Sequence, residues 1–223
     1  MVRRQCACRT EGDEGLVTLR LGYLNGGFQL APQAGATFND PNTQLDANFI
    51  WQQNFLLYQT ERPQEQLKAD ASSFFNTGNL SHELKFGAGY REAQVDTLTR
   101  WPGFGLELNY YKAFGYNYNV IGLTRDAFPS ILQEYTSVYL QDTMTIGNLT
   151  ANVGLRYDIQ GGENLGRTVV ANPQFPQFLP SVSFGGGDIG FEWKTLSPRI
   201  GVTYALGESR QTLLRASYSR FAD

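Results

Sequence analysis

Few side chains in this sequence could carry out acid–base or nucleophilic chemistry. The chain contains a single histidine, His82, so a Ser-His-Asp triad or a histidine general base would have to use it. His82 comes soon after a turn predicted at Asn79, and no G-x-S-x-G nucleophile elbow occurs in the sequence. We therefore expect no catalytic residue and no enzymatic activity.

The signals for metal and phosphate binding are equally weak. Asp40, Asn42 and Asp46 make an oxygen-rich stretch, but their spacing is not that of a calcium-binding loop, and a solvated loop is the better interpretation. Residues 185–187 are three glycines without the Lys and Ser/Thr of a phosphate-binding loop, so they indicate a flexible loop. We expect no metal and no cofactor.

Composition limits the classes of protein that this chain can represent. Charged residues make up 17% of the chain, below the roughly 25% of an average soluble domain, and the mean hydropathy is −0.34. No apolar run approaches the roughly 20 residues that a membrane-spanning helix needs. The net charge of −3 and the lack of long Lys/Arg runs argue against a nucleic-acid partner. The only cysteines, Cys6 and Cys8, cannot alone build a four-ligand zinc site and are interpreted as incidental.

Alternation of apolar and polar residues is the dominant pattern along the chain. A period of two predicts strands with one apolar and one polar face, and no segment predicts a helix. The clear segments are residues 17–23, 84–91, 149–158, 199–206 and 211–220. Weaker candidates are residues 44–58, 64–75, 117–125 and 135–146.

Strand length and residue placement favour a membrane barrel over a soluble sheet. Soluble strands average about five or six residues, whereas a tilted membrane strand needs about 9 to 11, and residues 149–158 and 211–220 fill that length. Tyrosines recur at strand ends, as in an interfacial girdle: Tyr23, Tyr90, Tyr157 and Tyr218. The polar face carries charges that suit a water-filled lumen: Lys68, Asp70, Glu83, Lys85, Arg91, Arg156, Arg199 and Arg215.

Short and long connections alternate between these strands. The short ones, residues 76–79, 147–148 and 207–210, contain Gly with small polar residues, as tight hairpins require. The long ones are residues 92–115 and 159–195, which we assign to the extracellular side because bacterial barrels have short periplasmic turns. An even number of crossings must then lie between residues 92 and 135. Residues 117–125 either pair with 105–111 or belong to the outer loop.

Three tryptophans are candidates for ligand contact. Trp51, Trp101 and Trp193 could meet a ligand from outer loops. For Trp51 at least, a position in the interfacial girdle is the better interpretation.

Several of these stretches resemble the TonB-dependent receptors. Residues 137–143 read SVYLQDT, and after the turn GNLT at 147–150 comes GLRYD at 154–158. This order is similar to a family strand Y-x-Q-D, a tight turn and L-x-x-x-x-G-x-R-Y-D. The next two family strands resemble LSPRIGVTY at 196–204 and LRASYSRF at 214–221. Upstream, HELKFG at 82–87 and WPG at 101–103 resemble the Oar-like branch.

The resemblance implies an all-β, antiparallel up-and-down transmembrane barrel in the outer membrane. Such barrels have about 22 strands, of which this chain would supply roughly eight to ten. The family's plug domain, TonB box and closing C-terminal strands have no counterpart here, and no signal peptide is visible, so we expect an incomplete barrel encoded by a gene fragment or a truncation. Residues 1–14 are predicted to be a disordered lead-in, and residues 15–223 to be the partial barrel.

The function implied by the resemblance is energy-coupled import of a scarce, bulky solute. Its partners would be outer-membrane lipid, the TonB system acting through the plug, and an unidentified solute touched by loops 92–115 and 159–195. No single loop residue stands out as a solute contact. Two alternatives remain open: a secreted soluble β-sandwich that binds glycans through loop aromatics, and a passive porin or adhesin barrel without a plug.

Overall fold

The computed structural model describes residues 2–12, 15–31, 43–52, 56–113, 116–207 and 210–221. These residues form strands and one short helical turn: β1 (Val2–Gly12), β2 (Gly15–Leu30), β3 (Thr43–Leu45), β4 (Trp51–Gln52), β5 (Leu57–Thr77), β6 (Leu80–Arg100), α1 (Pro102–Gly105), β7 (Leu106–Ala113), β8 (Tyr116–Leu123), β9 (Ser130–Ile146), β10 (Leu149–Asn164), β11 (Arg167–Val169), β12 (Val182–Phe184), β13 (Gly187–Asp188), β14 (Trp193–Leu206) and β15 (Thr212–Ser219).

One antiparallel sheet contains all the long strands. Its order is β1-β2-β5-β6-β9-β10-β14-β15, and the short β13 also pairs with β10. Successive strands of this sheet are neighbours that run in opposite directions, so the topology is up-and-down. The all-β, antiparallel fold predicted from the alternation pattern is therefore confirmed. Over the residues described here, no helix is long and apolar enough to cross a membrane.

The five clear strand predictions are confirmed, and the strands are mostly longer than the alternation indicated. The pattern at 84–91 lies within a strand of 21 residues, and the pattern at 149–158 within one of 16. The weaker segments 64–75 and 135–146 lie within β5 and β9. Residues 44–58 are not one strand, because β3, a turn and β4 precede the start of β5.

The hairpin of β7 and β8 lies outside the main sheet. It pairs along its whole length and joins β3 and β4 in a small second sheet. Meanwhile β6 pairs directly with β9, so the main sheet has no crossing between them. The two alternatives for residues 117–125 therefore hold together: these residues pair with β7, and they belong to the outer connection. The prediction that residues 92–115 form a loop is wrong at both ends, because β6 continues to Arg100 and β7 begins at Leu106.

The N-terminal stretch also differs from the expectation. Residues 2–12 form β1, which pairs with β2 from Val2 opposite Asn25 to Gly12 opposite Gly15. The physical reason is that the edge of β2 presents unpaired N–H and C=O groups, and a neighbouring strand satisfies them whatever its hydrophobicity. Composition alone therefore misassigned these residues as disordered.

The sheet has two unlike ends. At one end, the predicted hairpin turns are confirmed: Gly78 and Gly147 adopt φ values of 64° and 56°, which suits a glycine at the first position of a two-residue type II′ loop. At the other end, strands such as β5 and β6 extend well beyond the 9 to 11 residues that span a membrane. The predicted long connection 159–195 lies at this outer end, but β10 and β14 shorten it, and it contains the β11–β12 hairpin.

The apolar face of the main sheet is exposed. Among the described residues, the only buried hydrophobic side chain is Val169, whereas Leu140, Leu155 and Ile200 are each about half exposed. A soluble domain of this size would bury a substantial core. The apolar face therefore has the character of a surface that meets lipid, and a soluble sandwich does not fit this structure.

A glycine in β6 leaves room for a tyrosine side chain of β9 to reach over it to β5 on the polar face. Gly87 of β6 lies between Tyr139 of β9 and Asp70 of β5, and the Tyr139 hydroxyl donates a hydrogen bond to Asp70 Oδ1 at 2.8 Å. A Cβ at position 87 would come within 2.6 Å of Tyr139 Cε1 and 2.7 Å of the Ala69 carbonyl oxygen. Only glycine leaves room for this link across three strands.

We predict that Gly87→Ala lowers the free energy of unfolding by about 1 to 3 kcal/mol, since backbone and ring must both shift to admit the methyl group. The measurement is urea-induced unfolding in detergent micelles. Gly22→Ala on the same face is the matched control, because the nearest atom to its added Cβ is 3.9 Å away. Equal losses for the two variants would contradict the packing argument.

Candidate functional site

Among the side chains that the structure describes, cations outnumber carboxylates on the polar face of the main sheet. The strand register places the following side chains there: Arg20, Arg62, Lys68, Lys85, Arg91, Arg156, Arg199 and Arg215, against Asp70, Glu83 and Asp158. The chain as a whole has a net charge of −3, so the positive balance of this face is a local property.

Among the side chains that the structure describes, each carboxylate of the polar face is already engaged. Asp70 pairs with Arg20 at 3.2 Å in addition to Tyr139, and Glu83 pairs with Lys85 at 2.7 Å. Asp158 is buried and accepts two hydrogen bonds from Arg156 Nε, at 2.9 and 3.1 Å.

The Asp158 group includes a tyrosine that links β9 to β10. The Tyr135 hydroxyl donates to Asp158 and accepts a hydrogen bond from Arg156 Nη2 at 2.8 Å. The guanidinium of Arg91 lies 5.3 Å from the centre of the Tyr135 ring. These contacts hold one aromatic ring between two cations on the polar face.

Several cations have no carboxylate partner in the part of the chain that the structure describes. These are Arg62, Lys68, Arg91, Arg199 and Arg215, and three of them lie over aromatic rings instead: Arg62 over Phe28, Arg91 over Tyr135 and Arg199 over Phe221. The polar face therefore offers an uncompensated positive charge to whatever enters the space in front of it.

At the outer end, an ion pair ties the long connection to β6. Arg167 of β11 donates to Asp96 of β6, which also accepts hydrogen bonds from Ser130 and, at 2.8 Å, from Gln94. Leu165 N donates to the carbonyl oxygen of Ser130 at 2.9 Å and extends the β9–β10 ladder into the connection. The outer segments after β6 and after β10, distant in sequence, are thus joined in space.

A cavity lies between these two outer segments. Its volume is about 320 Å³, and it is lined from one side by the residues after β6 and before β9, and from the other by residues 170–173. The principal lining side chains are Arg100, Trp101, Arg125, Asp126, Val170 and Asn172. Arg100 donates to Asp126 through Nε and Nη2, each at 2.7 Å, which fixes the charge on one side of the cavity.

Asn172 holds the second wall of this cavity in place. Its side-chain carbonyl accepts hydrogen bonds from the backbone N–H groups of Gln174 and Phe175, both at 2.9 Å, and its Nδ2 donates to the Thr124 carbonyl oxygen at 3.4 Å. Thr124 in turn donates through its backbone N–H to the Gly105 carbonyl oxygen at 2.8 Å. Gly105 has a φ of 82°, and an added Cβ would meet the Thr124 carbonyl oxygen at 2.3 Å, so glycine is required at this contact.

His82, the one candidate for catalysis, lies on the apolar face near the short turns. Its Nδ1 is 2.7 Å from Asp142 Oδ2, and its ring stacks on Phe75 with 4.7 Å between ring centres. The strand register places Leu84 and Met144 beside this pair. The environment is that of a side-chain hydrogen bond between two strands, remote from the cavity.

The other candidate residues are dispersed. Asp46 accepts hydrogen bonds from the backbone N–H groups of Asn48 and Ile50, at 2.8 and 3.0 Å, so one of its oxygens is used within its own turn. Asp40 and Asn42 lie outside the described residues, and within those residues no group of three or more His, Cys, Asp or Glu side chains could hold a metal. Residues 6 and 8 belong to β1.

Among the tryptophans, Trp101 lines the cavity. Trp193 packs edge-on against Phe191 with ring centres 4.3 Å apart, and Trp51 lies in β4. Within residues 185–187, Gly186 is more than a flexible link, because an added Cβ would meet the Asn164 carbonyl oxygen at 2.6 Å.

Sequence analysis missed Arg125 and Asn172. Neither belongs to a periodic segment or a motif, and they are distant in the sequence. The backbone hydrogen bonds of the outer segments bring them together, and only a three-dimensional arrangement reveals this.

We expect low pH to weaken the contact that holds the connection between β10 and β14, which contains β11, against β6. Burial raises the pKa of Asp96, but the Ser130 hydroxyl, the Gln94 amide and the Arg167 guanidinium together outweigh it, so the pKa lies below its ordinary value of 3.8. A lowered pKa in the folded state contributes stability that is complete above 3.8 and is lost as pH falls through the lowered value.

We therefore predict that pepsin cleaves near Phe175 and Phe178 only once the pH has fallen below the lowered pKa of Asp96. Asp96→Asn should make the same sites susceptible at higher pH and flatten the pH dependence, because the charge that holds Arg167 is gone. Glu163→Gln, an exposed control on β10, should retain the original profile. An Asp96→Asn profile identical to that of the unmodified protein would refute the ion-pair anchor.

Comparisons with known proteins place this architecture. A family model described as "TonB dependent receptor-like, beta-barrel" matches residues 7–221. A search of curated proteins finds no match.

Among solved structures, the siderophore receptor PiuA from Acinetobacter baumannii is similar, with 16% identity and a TM-score of 0.54 over 92% of this chain. The ferric citrate transporter FecA in its unliganded form is similar with 15% identity and a TM-score of 0.53, again over 92% of this chain. The chain spans 30% and 25% of the lengths of these two chains. At such identities the likeness concerns the fold.

Proposed function

Because the chain belongs to the TonB-dependent receptor family, through its β-barrel domain, we propose that it forms part of the wall of a transporter that imports a scarce, bulky solute. The family consists of outer-membrane transport proteins and not of enzymes, in agreement with the expectation from the sequence. The soluble β-sandwich alternative is wrong, since the matched family is a membrane barrel and the apolar face of this sheet is exposed.

The observation that carries the proposal is the contrast between the two faces of the main sheet. The apolar face fits the hydrocarbon region of the outer membrane, and the polar face, rich in unpaired cations, fits a water-filled lumen. The outer segments that close around the 320 Å³ cavity would be the first part of this wall that an arriving solute meets.

The energy source and the immediate partners follow from the family. The proposal includes a plug domain inside the barrel, on which the TonB system acts, and the main sheet, with β1 at its edge, as the barrel segment in the present chain. The solutes of the two similar structures, a siderophore and ferric citrate by their descriptions, show what kinds of cargo this fold can serve. Residues 82–87 and 101–103 support a further assignment to the Oar-like branch.

We predict that a lysine on the apolar face destabilises the protein in a bilayer. Leu155 lies near the middle of the β10 alternation and is about half exposed, so Leu155→Lys should cost about 2 to 4 kcal/mol. Gln141 faces the lumen at the same depth, opposite Gly154 and Lys85, and Gln141→Lys should cost about 1 kcal/mol or less.

The measurement is the folded fraction in phospholipid vesicles, determined from heat-modifiable migration on gels across a urea series. In a soluble sheet, the half-exposed Leu155 would accept lysine without loss. Equal stabilities for the two variants would therefore count against the membrane assignment.

A second experiment separates a plugged transporter from a passive porin or adhesin barrel. The protein as the cell makes it would be reconstituted into planar bilayers, and the steady ion current would be recorded. A plug that fills the lumen predicts no steady conductance, and removal of the plug by mild urea predicts open channels. A constant open-channel current without urea would favour the porin.

A further inference from the structure

A groove of about 200 Å³ opens on the polar face of the main sheet, where β9, β10 and β14 run side by side. Its polar side chains are Tyr139 and Gln141 of β9, Arg156 of β10 and Arg199 of β14. The strand register puts all of them on one face, because Gln141 and Arg199 both stand opposite Gly154, and Tyr139 stands opposite Arg156. None of the described residues that line this groove is a carboxylate.

Gly154 makes room for the groove. An added Cβ at this position would lie 3.3 Å from both Cβ and Cγ of Gln141, which is closer than ordinary van der Waals contact. A methyl group there would press on the Gln141 side chain and occupy part of the space between Gln141 and Arg199. A glycine inside a strand often marks a place where a ligand approaches the backbone closely.

The two guanidinium groups of the groove differ in their partners. Arg156 Nε donates to both oxygens of Asp158, at 2.9 and 3.1 Å, so the charge of Arg156 is compensated. Arg199 forms no ion pair and no side-chain hydrogen bond with any described residue. Its guanidinium lies 5.2 Å from the centre of the Phe221 ring, and a ring contact of this kind uses none of the N–H donors. The groove therefore carries a positive charge that the described residues leave uncompensated.

The unused hydrogen-bond donors of the groove suit an anion with several oxygens. All N–H donors of Arg199 lack an acceptor among the described residues, and so does the side-chain amide of Gln141. Arg156 spends its Nε on Asp158 and one hydrogen of Nη2 on Tyr135, which leaves its other donors available. A carboxylate has fewer oxygens than these donors can serve, whereas a phosphate group has enough, and the guanidinium fork matches its geometry.

The nearest carboxylates on the same face do not compete for these donors. Asp70 accepts a hydrogen bond from the Tyr139 hydroxyl at 2.8 Å and pairs with Arg20 at 3.2 Å. Glu83 pairs with Lys85 at 2.7 Å. An anion that enters the groove therefore has no described carboxylate to displace.

We infer that this groove binds a phosphate group, with Arg199 as its main partner and Arg156 and Gln141 as further donors. The inference rests on the proposed function, because it places the groove on the lumen wall and assigns the phosphate to the transported solute. Gly154 lies in the middle of the alternating segment 149–158, so the solute meets this site during its passage and not at the mouth of the barrel. The substrate class is thus a solute that carries a phosphate group.

The test is isothermal titration calorimetry on the protein as the cell makes it, purified in detergent at neutral pH and constant chloride. The probes are methyl phosphate, inorganic phosphate and acetate. We expect the two phosphates to bind with similar affinity and acetate to bind about tenfold more weakly, because acetate has fewer acceptor oxygens. No binding of phosphate, or equal binding of acetate, would overturn the inference. Binding of inorganic phosphate alone would indicate a free ion and would overturn the assignment to a solute.

Two substitutions that remove the same charge locate the site. Arg199→Gln should weaken the binding of methyl phosphate about tenfold, the lower end of the range for a hydrogen bond to a charged group. Arg215 is the matched control on the same face. It stands opposite Thr203, about 13 Å along the strand from Arg199 and beyond the Debye length of about 8 Å. Arg215→Gln should therefore change the affinity about twofold or less, and equal losses in both variants would indicate a diffuse field without a site.

A third substitution changes the shape of the groove and leaves every charge in place. Gly154→Ala should weaken the binding of methyl phosphate severalfold, because the methyl group narrows the groove beside Gln141. Gly22→Ala is the control on the same face, since its added Cβ has no atom closer than 3.9 Å. An unchanged affinity in Gly154→Ala would place the phosphate outside this groove.

The outcomes also separate this inference from the proposed function. Heat-modifiable migration shows whether each purified variant is folded, and membrane integration of the unmodified protein tests the barrel assignment itself. If the protein integrates into membranes but binds no phosphate, the inference alone fails. Phosphate binding that begins only after mild urea has extracted the plug would mean that the plug occupies the groove, which also overturns the inference. If the protein does not integrate, the proposed function fails and the inference fails with it.

Discussion

The structure depends on one requirement, that each long strand finds hydrogen-bond partners on its neighbours for its backbone N–H and C=O groups. In a hydrocarbon environment no water can replace a missing partner. The main sheet meets this requirement with ladders such as β5 with β6, which runs from Leu57 opposite Arg100 to Thr77 opposite Leu80. Because the apolar side chains face outward and are not packed into a core, the ladder and the surrounding lipid replace the buried core of a soluble protein.

Because the hydrogen-bond ladder holds the sheet together, the side chains of the polar face are not needed to form a core. Side chains on this face do not have to exclude water, so they can form ion pairs, cross strands or remain charged. The Tyr139–Asp70 link over Gly87 and the Tyr135–Arg156–Asp158 group join strands that the backbone already joins. Since these groups and the Glu83–Lys85 pair engage the described carboxylates and leave Lys68 and several arginines without one, one set of contacts both stiffens the wall and sets its electrostatic sign.

The sequence predicted the parts of the strands that lie against lipid. It did not predict the parts that extend beyond the membrane. Alternation marks residues 149–158 of β10 because lipid on one side and water on the other impose it. The same strand continues to Asn164 through Gly161 and Gly162, where both faces are wet and no alternation is required. The same reason explains the missed end of β6 and the hairpin of β7 and β8. The cavity was beyond sequence reasoning altogether, since Arg125 and Asn172 meet only through tertiary contacts.

The direct pairing of β6 with β9 has a consequence for how such a protein can change. Asp96 stands opposite Ser130 at the outer end of that pairing, and the chain between Arg100 and Ser130 leaves the sheet and returns to the neighbouring position. The excursion contributes no strand to the wall, so its length and sequence are free to vary while the barrel register stays fixed. This connection is therefore a natural place for lineages to diverge in cargo preference, and a permissive position for grafting a foreign peptide onto the cell surface.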